Sequence, residues 1–297
     1  MELVQHLDDK LLFAVPKKGR LAERCTELLV GADVQFRRSN RLDIAISTNL
    51  PVALVFLPAA DIPTFVGEGK CSLGITGHDQ VEESNVKVDD LLDLGFGKCK
   101  LQIQVPADGP YSDPKQLIGK TIVTSFIHLA TTFFTELEGK QPGDKLDTVI
   151  KYVGGSVEAA VALGVADAIV DLVESGETMR AAGLKPIGTV LNTSAHLIAS
   201  KSPSHPDVLQ ILKSRIEGVI ASNRYVLCQY NAQRKDMPVL LKITPGRRAA
   251  TVAPLEDDTW AAISTMVEKS RIAEVMDQLA SNGAEDILVT HLANCRV

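Results

Sequence analysis

Asp167-Ala168-Ile169-Val170-Asp171-Leu172-Val173-Glu174-Ser175-Gly176-Glu177-Thr178-Met179 sets the architecture of the chain that carries it. A hydrophobic, β-branched run leads into Asp171, a turn follows with Ser175, Gly176 and Thr178, and a helical pattern opens at Glu177. A strand that turns through glycine into a helix belongs to an α/β layer. Gly176 lets the backbone approach a ligand closely, and Ser175 and Thr178 offer hydroxyl donors. The N–H groups that open the helix point at whatever sits there, so the turn can cradle a monophosphate without bulk positive charge. An ordinary capped helix has the same sequence signs, because Ser and Thr cap helices widely. From this stretch alone both readings stand. Asp171, at the strand end, is suited to sugar hydroxyls or a metal ion.

The same alternation extends outward. Apolar runs predict strands at 11–15, 42–47, 52–57, 73–76, 101–105, 121–124, 150–153, 168–172, 187–191 and 196–199. Helical patterns fall between them at 20–29, 62–68, 126–137, 157–163, 177–182 and 206–221. Strands separated by helices predict parallel layers, and strands apolar throughout predict sheets covered on both faces. The pattern changes after about residue 223. Strands at 225–230, 250–254, 260–267 and 287–292, with helices at 235–241 and 271–280, run in the order βαββαβ of a ferredoxin-like unit. Asn282-Gly283 ends the last helix, with Gly283 where a left-handed residue is wanted.

Three further turns have related chemistry. Gly154-Gly155-Ser156-Val157-Glu158 is again strand, glycine and helix, with Ser156 at the turn and Glu158 in the first helical turn. Pro16-Lys17-Lys18-Gly19-Arg20 places cations at the end of the first strand, which suits a pyrophosphate or triphosphate; a solvated turn is the plainer alternative. Leu73-Gly74-Ile75-Thr76-Gly77-His78-Asp79 supplies glycine, hydroxyl and acid, with His78 read as a surface residue. Two glycine-assisted helix starts within one lobe point to a shared ligand cleft.

The 297 residues carry a net charge of −6, with 45% hydrophobic and 4% aromatic residues. That composition predicts a soluble globular protein of two or three domains and argues against a nucleic-acid partner. The excess acid lies in residues 42–99, and the first 41 residues are slightly basic. Any anion site therefore rests on a few placed cations and backbone N–H groups. Met1–Lys10 has early acids and no apolar run, and the longest apolar run, 50–60, is 11 residues long with two prolines. A leader and a membrane span are thus not expected, and a cytoplasmic location is. Five scattered cysteines without a CxxC pair are expected to be free thiols. P-loop, serine-hydrolase, zinc-hydrolase and dinucleotide fingerprints are all missing.

Pro16-Lys17-Lys18-Gly19-Arg20-Leu21, Asp61-Ile62-Pro63, Leu73–Asp79, Gly155-Ser156-Val157-Glu158, Asp167–Met179 and Thr244-Pro245-Gly246 occur in one order. In that order they resemble the long form of the ATP phosphoribosyltransferase family, the first enzyme of histidine biosynthesis, and are nearest to its fungal members. The resemblance covers essentially the whole chain. It implies an α/β catalytic core of two lobes like a periplasmic binding protein, with a C-terminal ferredoxin-like regulatory domain. Residues 1–103, joined again by 188–223, would form lobe I, residues 104–187 lobe II, and residues 224–297 the histidine-binding domain. It further implies transfer of a phosphoribosyl group from phosphoribosyl pyrophosphate to N1 of ATP, with Mg2+ as cofactor, histidine as inhibitor and a homohexamer as the assembly.

By matching position, Ser175, Gly176, Glu177 and Thr178 are expected to hold the ribose 5-phosphate. Asp171 and Glu158 are expected at the ribose hydroxyls or the metal, with Asp171 the Mg2+ candidate and Ser156 beside them. Lys17 and Arg20 are expected to face the pyrophosphate or triphosphate, and Thr76, Gly77 and Asp79 the nucleotide. Gly246, Arg247, Ala249 and Thr251 are expected to border the histidine site. Two alternatives are a two-lobed binding protein without catalysis and a phosphoribosyltransferase for another base.

Overall fold

The computed structural model describes residues 7–38 and 42–296; the start of the N-terminal stretch discussed above, through His6, lies outside them. The chain forms two compact units. One takes in the described residues up to Thr26 and from Gln35 to Leu209; the other takes in Glu27–Val34 and the described residues from Gln210 on.

The larger unit contains β1 (Leu11–Pro16), the start of α1 (Arg20–Gly31), β2 (Ile44–Ile46), β3 (Val52–Leu57), α2 (Ile62–Gly67), β4 (Leu73–Gly77), α3 (His78–Ser84) and β5 (Asp89–Asp93). It continues through β6 (Cys99–Pro106), β7 (Thr121–Thr124), α4 (Ile127–Leu137), β8 (Val149–Tyr152) and α5 (Glu158–Ala162). It ends with β9 (Ala168–Val173), α6 (Glu177–Ala181), β10 (Leu184–Thr193), β11 (Ala195–Ala199) and the start of α7 (Pro206–Arg224). These strands make two sheets, ordered β2-β3-β1-β4-β11-β5 and β10-β6-β9-β7-β8. The chain leaves the first sheet after β5 and re-enters it at β11, so each sheet with its helices is one lobe of the two-lobed α/β architecture.

The inner strands are apolar throughout because both faces are covered. In β1, Leu11, Phe13 and Ala14 are fully buried, as are Val52, Ala53 and Leu54 in β3. In the second sheet one face packs Leu101, Ile103, Phe126, Phe134 and Val170 together. The other face packs Val123 and Ile169 against Val157 and Ala160.

Both sheets are mixed, not parallel. The pairs β1–β3, β1–β4, β7–β8 and β7–β9 are parallel, whereas β2–β3, β4–β11, β5–β11, β6–β9 and β6–β10 are antiparallel. The short link between β2 and β3 leaves no room for a crossover helix, so that pair is a hairpin. Two elements also escape the sequence pattern. α3 starts directly at His78, where a loop was expected, and the acidic strand β5 is an edge strand whose exposed aspartates suit solvent.

The second unit holds β12 (Tyr225–Gln233), α8 (Met237–Ile243), β13 (Thr251–Pro254), β14 (Trp260–Glu268), α9 (Ile272–Ser281) and β15 (Ala284–His291). Its sheet is antiparallel in the order β13-β14-β12-β15, which is the ferredoxin-like arrangement. Strict alternation in β12 buries Val226, Cys228, Tyr230 and Ala232 against Leu240, Val275 and Leu279. Gly283 is left-handed at φ +86°, as the helix end requires. All five cysteines are free, and among the described residues no helix is long and apolar enough to cross a membrane.

Candidate active site

The Asp167–Met179 stretch folds as strand β9, turn and helix α6. β9 is the central strand of its sheet, paired with β6 on one side and β7 on the other. Gly176 is left-handed at φ +77° as the N-cap of α6, a conformation that costs a side chain dearly and glycine little. A Cβ at that position would also lie 2.8 Å from Arg180 Nη1. The Glu177 N–H faces Ser175 Oγ at 3.4 Å, and Arg180 Nη2 donates to the Ser175 carbonyl at 3.2 Å, so the guanidinium is held over the turn.

This turn walls a cleft of about 600 Å³. Opposite Val173–Gly176, Met179 and Arg180 stand Lys98, Cys99, Lys100 and Gln102 from the start of β6, with Asn192, Thr193 and Ser194 at the end of β10. A second hollow of about 270 Å³ shares the same turn and adds Arg20, Glu177 and Thr178. Arg20 pairs with Glu174 there. Four cations, Arg20, Lys98, Lys100 and Arg180, thus surround one turn in a chain whose net charge is negative. A short anionic ligand meets local positive charge that the overall count hides.

Asp171 lies directly across the sheet from Gln102. Its Oδ1 accepts the Leu172 N–H at 2.9 Å. Burial pushes its carboxyl above the ordinary aspartate range; the Leu172 N–H pulls the other way, and the Glu158 charge adds to the rise. Asp171 thus carries a disfavoured negative charge beside the carboxylate of Glu158, and two such oxygen donors fit a hard divalent cation.

The other expected residues are distributed as follows. Thr76 is fully buried, and its Oγ1 donates to the Ala59 carbonyl at 2.7 Å. Gly77 is the N-cap of α3. Asp79 is only 4% exposed; its Oδ1 accepts from Thr193 Oγ1 at 2.8 Å, its N–H donates to the same oxygen at 2.9 Å, and Gln80 Nε2 donates to Oδ2 at 2.7 Å. Asp79 therefore braces Thr193, which lines the cleft, and does not itself face it. Lys17 Nζ pairs with Asp43 at 2.8 Å, outside both hollows. Ser156 is exposed and left-handed at φ +50° in the turn before α5.

Sequence patterns alone did not single out Lys98, Lys100, Gln102, Arg180 or Asn192–Ser194. The signal was present for the first three, since Lys98, Lys100, Gln102 and Gln104 alternate with Leu101, Ile103 and Val105, which are buried. Cys99 shares the cleft but is no nucleophile. Burial first, then the charges of Asp79 and Glu174, push its thiol up to about 11.

The second unit has a hollow of its own, of about 560 Å³, lined by Leu227, Arg247, Arg248, Ala249, Thr251, Ser264, Thr265, Met266 and Arg296. Gly246, left-handed at φ +68°, passes so close that a Cβ would lie 2.9 Å from Thr265 Oγ1. That hydroxyl is buried without a hydrogen-bond partner. The Arg247 guanidinium stands 5.7 Å from the centre of the Tyr225 ring.

Comparison with known proteins adds the family. The profile of HisG, ATP phosphoribosyltransferase, matches residues 58–218, and that of the HisG C-terminal domain matches residues 222–294. Proteins named ATP phosphoribosyltransferase from Yarrowia lipolytica, Saccharomyces cerevisiae and Schizosaccharomyces pombe are 68%, 61% and 54% identical, each over the full length of both chains. The chain also superposes on a solved ATP phosphoribosyltransferase (HisG:HisZ) complex from Thermotoga maritima. The TM-score is 0.57 at 23% identity, over 70% of this chain and 98% of that one, a likeness of fold. With a glycine turn ringed by cations in the first unit, a ferredoxin-like second unit and full-length relatives above 50% identity, the chain belongs to the ATP phosphoribosyltransferase family.

Proposed function

We propose that the chain transfers the 5-phosphoribosyl group of phosphoribosyl pyrophosphate to N1 of ATP, giving N1-(5-phosphoribosyl)-ATP and pyrophosphate, the first step of histidine biosynthesis. The observation that carries this is full-length identity of 68% to a protein of that name. The cation-ringed turn at Ser175–Thr178 agrees with it.

The chemistry asks little of the side chains beyond placement and charge. Adenine N1 already owns a lone pair, so no base has to make it. The new N–C bond forms at the ribose anomeric carbon as the bond to pyrophosphate breaks, and the electron pair leaves with the pyrophosphate. Positive charge grows on the ribose in between, as in other glycosyl transfers. Ser175, Gly176, Glu177 and Thr178 hold the 5-phosphate through N–H and hydroxyl groups, with Arg180 over the turn. Asp171 and Glu158 set negative charge beside the ribose, where it favours the developing cation. Arg20, Lys98 and Lys100, with Lys17 farther out, attract the phosphates of both substrates. Thr76, Gly77 and Asp79 shape the nucleotide side, Asp79 through Thr193.

Asp171 and Glu158 are also the residues suited to Mg2+. When bound, the ion supplies positive charge to the departing pyrophosphate. The lobe that grips phosphoribosyl pyrophosphate is then the one built on β6 to β10, wider than the expected 104–187 because β6 and β10 pair whole within its sheet, and the strands before β6 with β11 belong to the other lobe. Residues 224–297 bind histidine, with Gly246, Arg247, Ala249 and Thr251 at the hollow where Arg side chains can meet its carboxylate. The working form is a cytoplasmic homohexamer.

The test is to mix the purified chain with ATP, phosphoribosyl pyrophosphate and Mg2+, with and without histidine. Pyrophosphate release that needs both substrates and falls with histidine is expected. No product at all favours the binding-protein alternative. Product from another base but not from ATP favours a different transferase.

A further inference from the structure

His78, Asp90 and His196 come from three separate elements of the first sheet and its helices: the start of α3, the edge strand β5 and β11. Their donor atoms lie within 4.8 Å of one another. None of the three lines either hollow at the phosphate turn.

The hydrogen bonds around the two imidazoles decide which nitrogens face inward. Ser194 Oγ donates to Asp93 Oδ1 at 3.0 Å, which leaves its lone pairs for His196 Nε2 at 3.2 Å. His196 Nε2 therefore donates to Ser194. His196 Nδ1 sits 2.9 and 2.8 Å from the two oxygens of Asp90, a hydrogen bond in which Nδ1 donates its proton to the carboxylate. On the other ring, His78 Nε2 faces Glu82 Oε1 at 3.5 Å. His78 Nδ1 is buried, has no hydrogen-bond partner, and lies 3.7 Å from Asp90 Oδ2. The rings stack with centres 4.8 Å apart.

Two imidazole Nδ1 atoms and a carboxylate thus converge, and an ion bound between them would displace the proton on His196 Nδ1 to solvent. A single proton between His196 and Asp90 satisfies one ring and leaves His78 Nδ1 orphaned. A metal ion satisfies all three; the outer nitrogen of His196 is already held by Ser194, as that of a metal-bound histidine usually is, and that of His78 faces Glu82. Donor atoms around a tetrahedral zinc lie about 3.3 Å apart, so the observed spacing closes with side-chain movement of about 1 Å.

We infer that His78, Asp90 and His196 form a binding site for a divalent transition ion of the zinc type, separate from the Mg2+ proposed at Asp171. Two nitrogens and one oxygen suit Zn2+, Ni2+ or Co2+, whereas Mg2+ takes oxygen donors and keeps its waters. Three protein ligands leave a coordination position for water. Asp90 is exposed, so the ion enters from solvent. Burial raises the thiols of Cys71 and Cys99 to about 11 and that of Cys25 higher still, which disfavours these three as competing ligands.

The experiment is equilibrium dialysis of the full, tag-free chain against Zn2+ in excess Mg2+, after stripping with a chelator. Co2+ serves as the coloured substitute. One equivalent of Zn2+ per chain is expected. His78→Asn, His196→Asn and Asp90→Asn are each expected to weaken binding at least tenfold and to remove the Co2+ visible bands. Wild-type chain that binds no Zn2+, or a His78→Asn/His196→Asn chain that binds as much as wild type, overturns the assignment. Far-UV circular dichroism of the stripped variants checks folding. Should a histidine variant unfold, Asp90→Asn on the exposed edge decides the matter alone.

Discussion

Asp171 combines burial with a neighbouring charge of its own sign, and both hold its pKa above the ordinary value. A carboxyl with a raised folded-state pKa keeps its proton longer in the folded chain. The stability it contributes is complete at acid pH and is lost as pH rises through the folded-state value. Asp171→Asn removes that loss. The variant should therefore unfold at a higher temperature than wild type near pH 7, with the gap narrowing toward about pH 4, where aspartate normally titrates. A gap that does not change with pH contradicts the assignment. Activity should move the opposite way. Asp171→Ala is expected to lower turnover about a hundredfold or more, the scale on which a single charge-stabilising group acts, while the far-UV spectrum stays unchanged. Stability traded against function at one residue is what an active-site carboxylate looks like. The strand expected to run into Asp171 continues to Val173, so Asp171 lies within β9; the resemblance already sets Asp171 and Glu158 at one place, and the charge of Glu158, the first residue of α5, does act on Asp171.

At the scale of elements, the turn between β9 and α6 was legible because its information is local. A β-branched run, a glycine and two hydroxyl residues occupy consecutive positions, and Gly176 adopts the left-handed conformation that only glycine takes cheaply. Gly176→Ala should cost about 1 kcal/mol from the backbone strain alone. Arg180 can swing away from the new methyl, since its terminal nitrogen is the atom met. The KM for phosphoribosyl pyrophosphate should then rise several-fold with that for ATP little changed; a rise confined to ATP would place the 5-phosphate elsewhere. The opposite wall of the cleft was harder to see. Lys98 just before β6, and Lys100, Gln102 and Gln104 within it, alternate with apolar residues, a pattern that reads as any half-exposed strand until β9 is known to lie beside it. α3 and β5 were missed for opposite reasons. His78–Ser84 is polar on most of its surface, and Asp89–Asp93 is an acidic edge strand, so neither has the apolar period that identifies buried elements.

For the whole molecule, the division into two units gives the proposed histidine feedback a place to act from. Coupling between a histidine site in the second unit and catalysis in the first amounts to about 1–3 kcal/mol in typical allosteric proteins. Arg247→Ala in the full chain should raise the histidine concentration for half-inhibition at least tenfold, measured in the pyrophosphate-release assay. Inhibition that is unchanged in this variant and in Thr251→Val removes the hollow around Thr265 from consideration. The βαββαβ order of this unit was readable because strict alternation in β12 and β14 and the Asn282-Gly283 stop are features of adjacent residues. By itself the sequence determined the alternation of strands and helices, the glycine turn into α6 and the family to which its motifs belong, because hydrophobic period and turn chemistry act over a few residues; that both sheets are mixed it did not. Only the tertiary structure decided that Lys98 and Lys100 stand across from Gly176, that Asp79 braces Thr193, and that His78, Asp90 and His196 meet. Those contacts join segments dozens of residues apart, and they are set by how the sheets pair and pack, which no local pattern records.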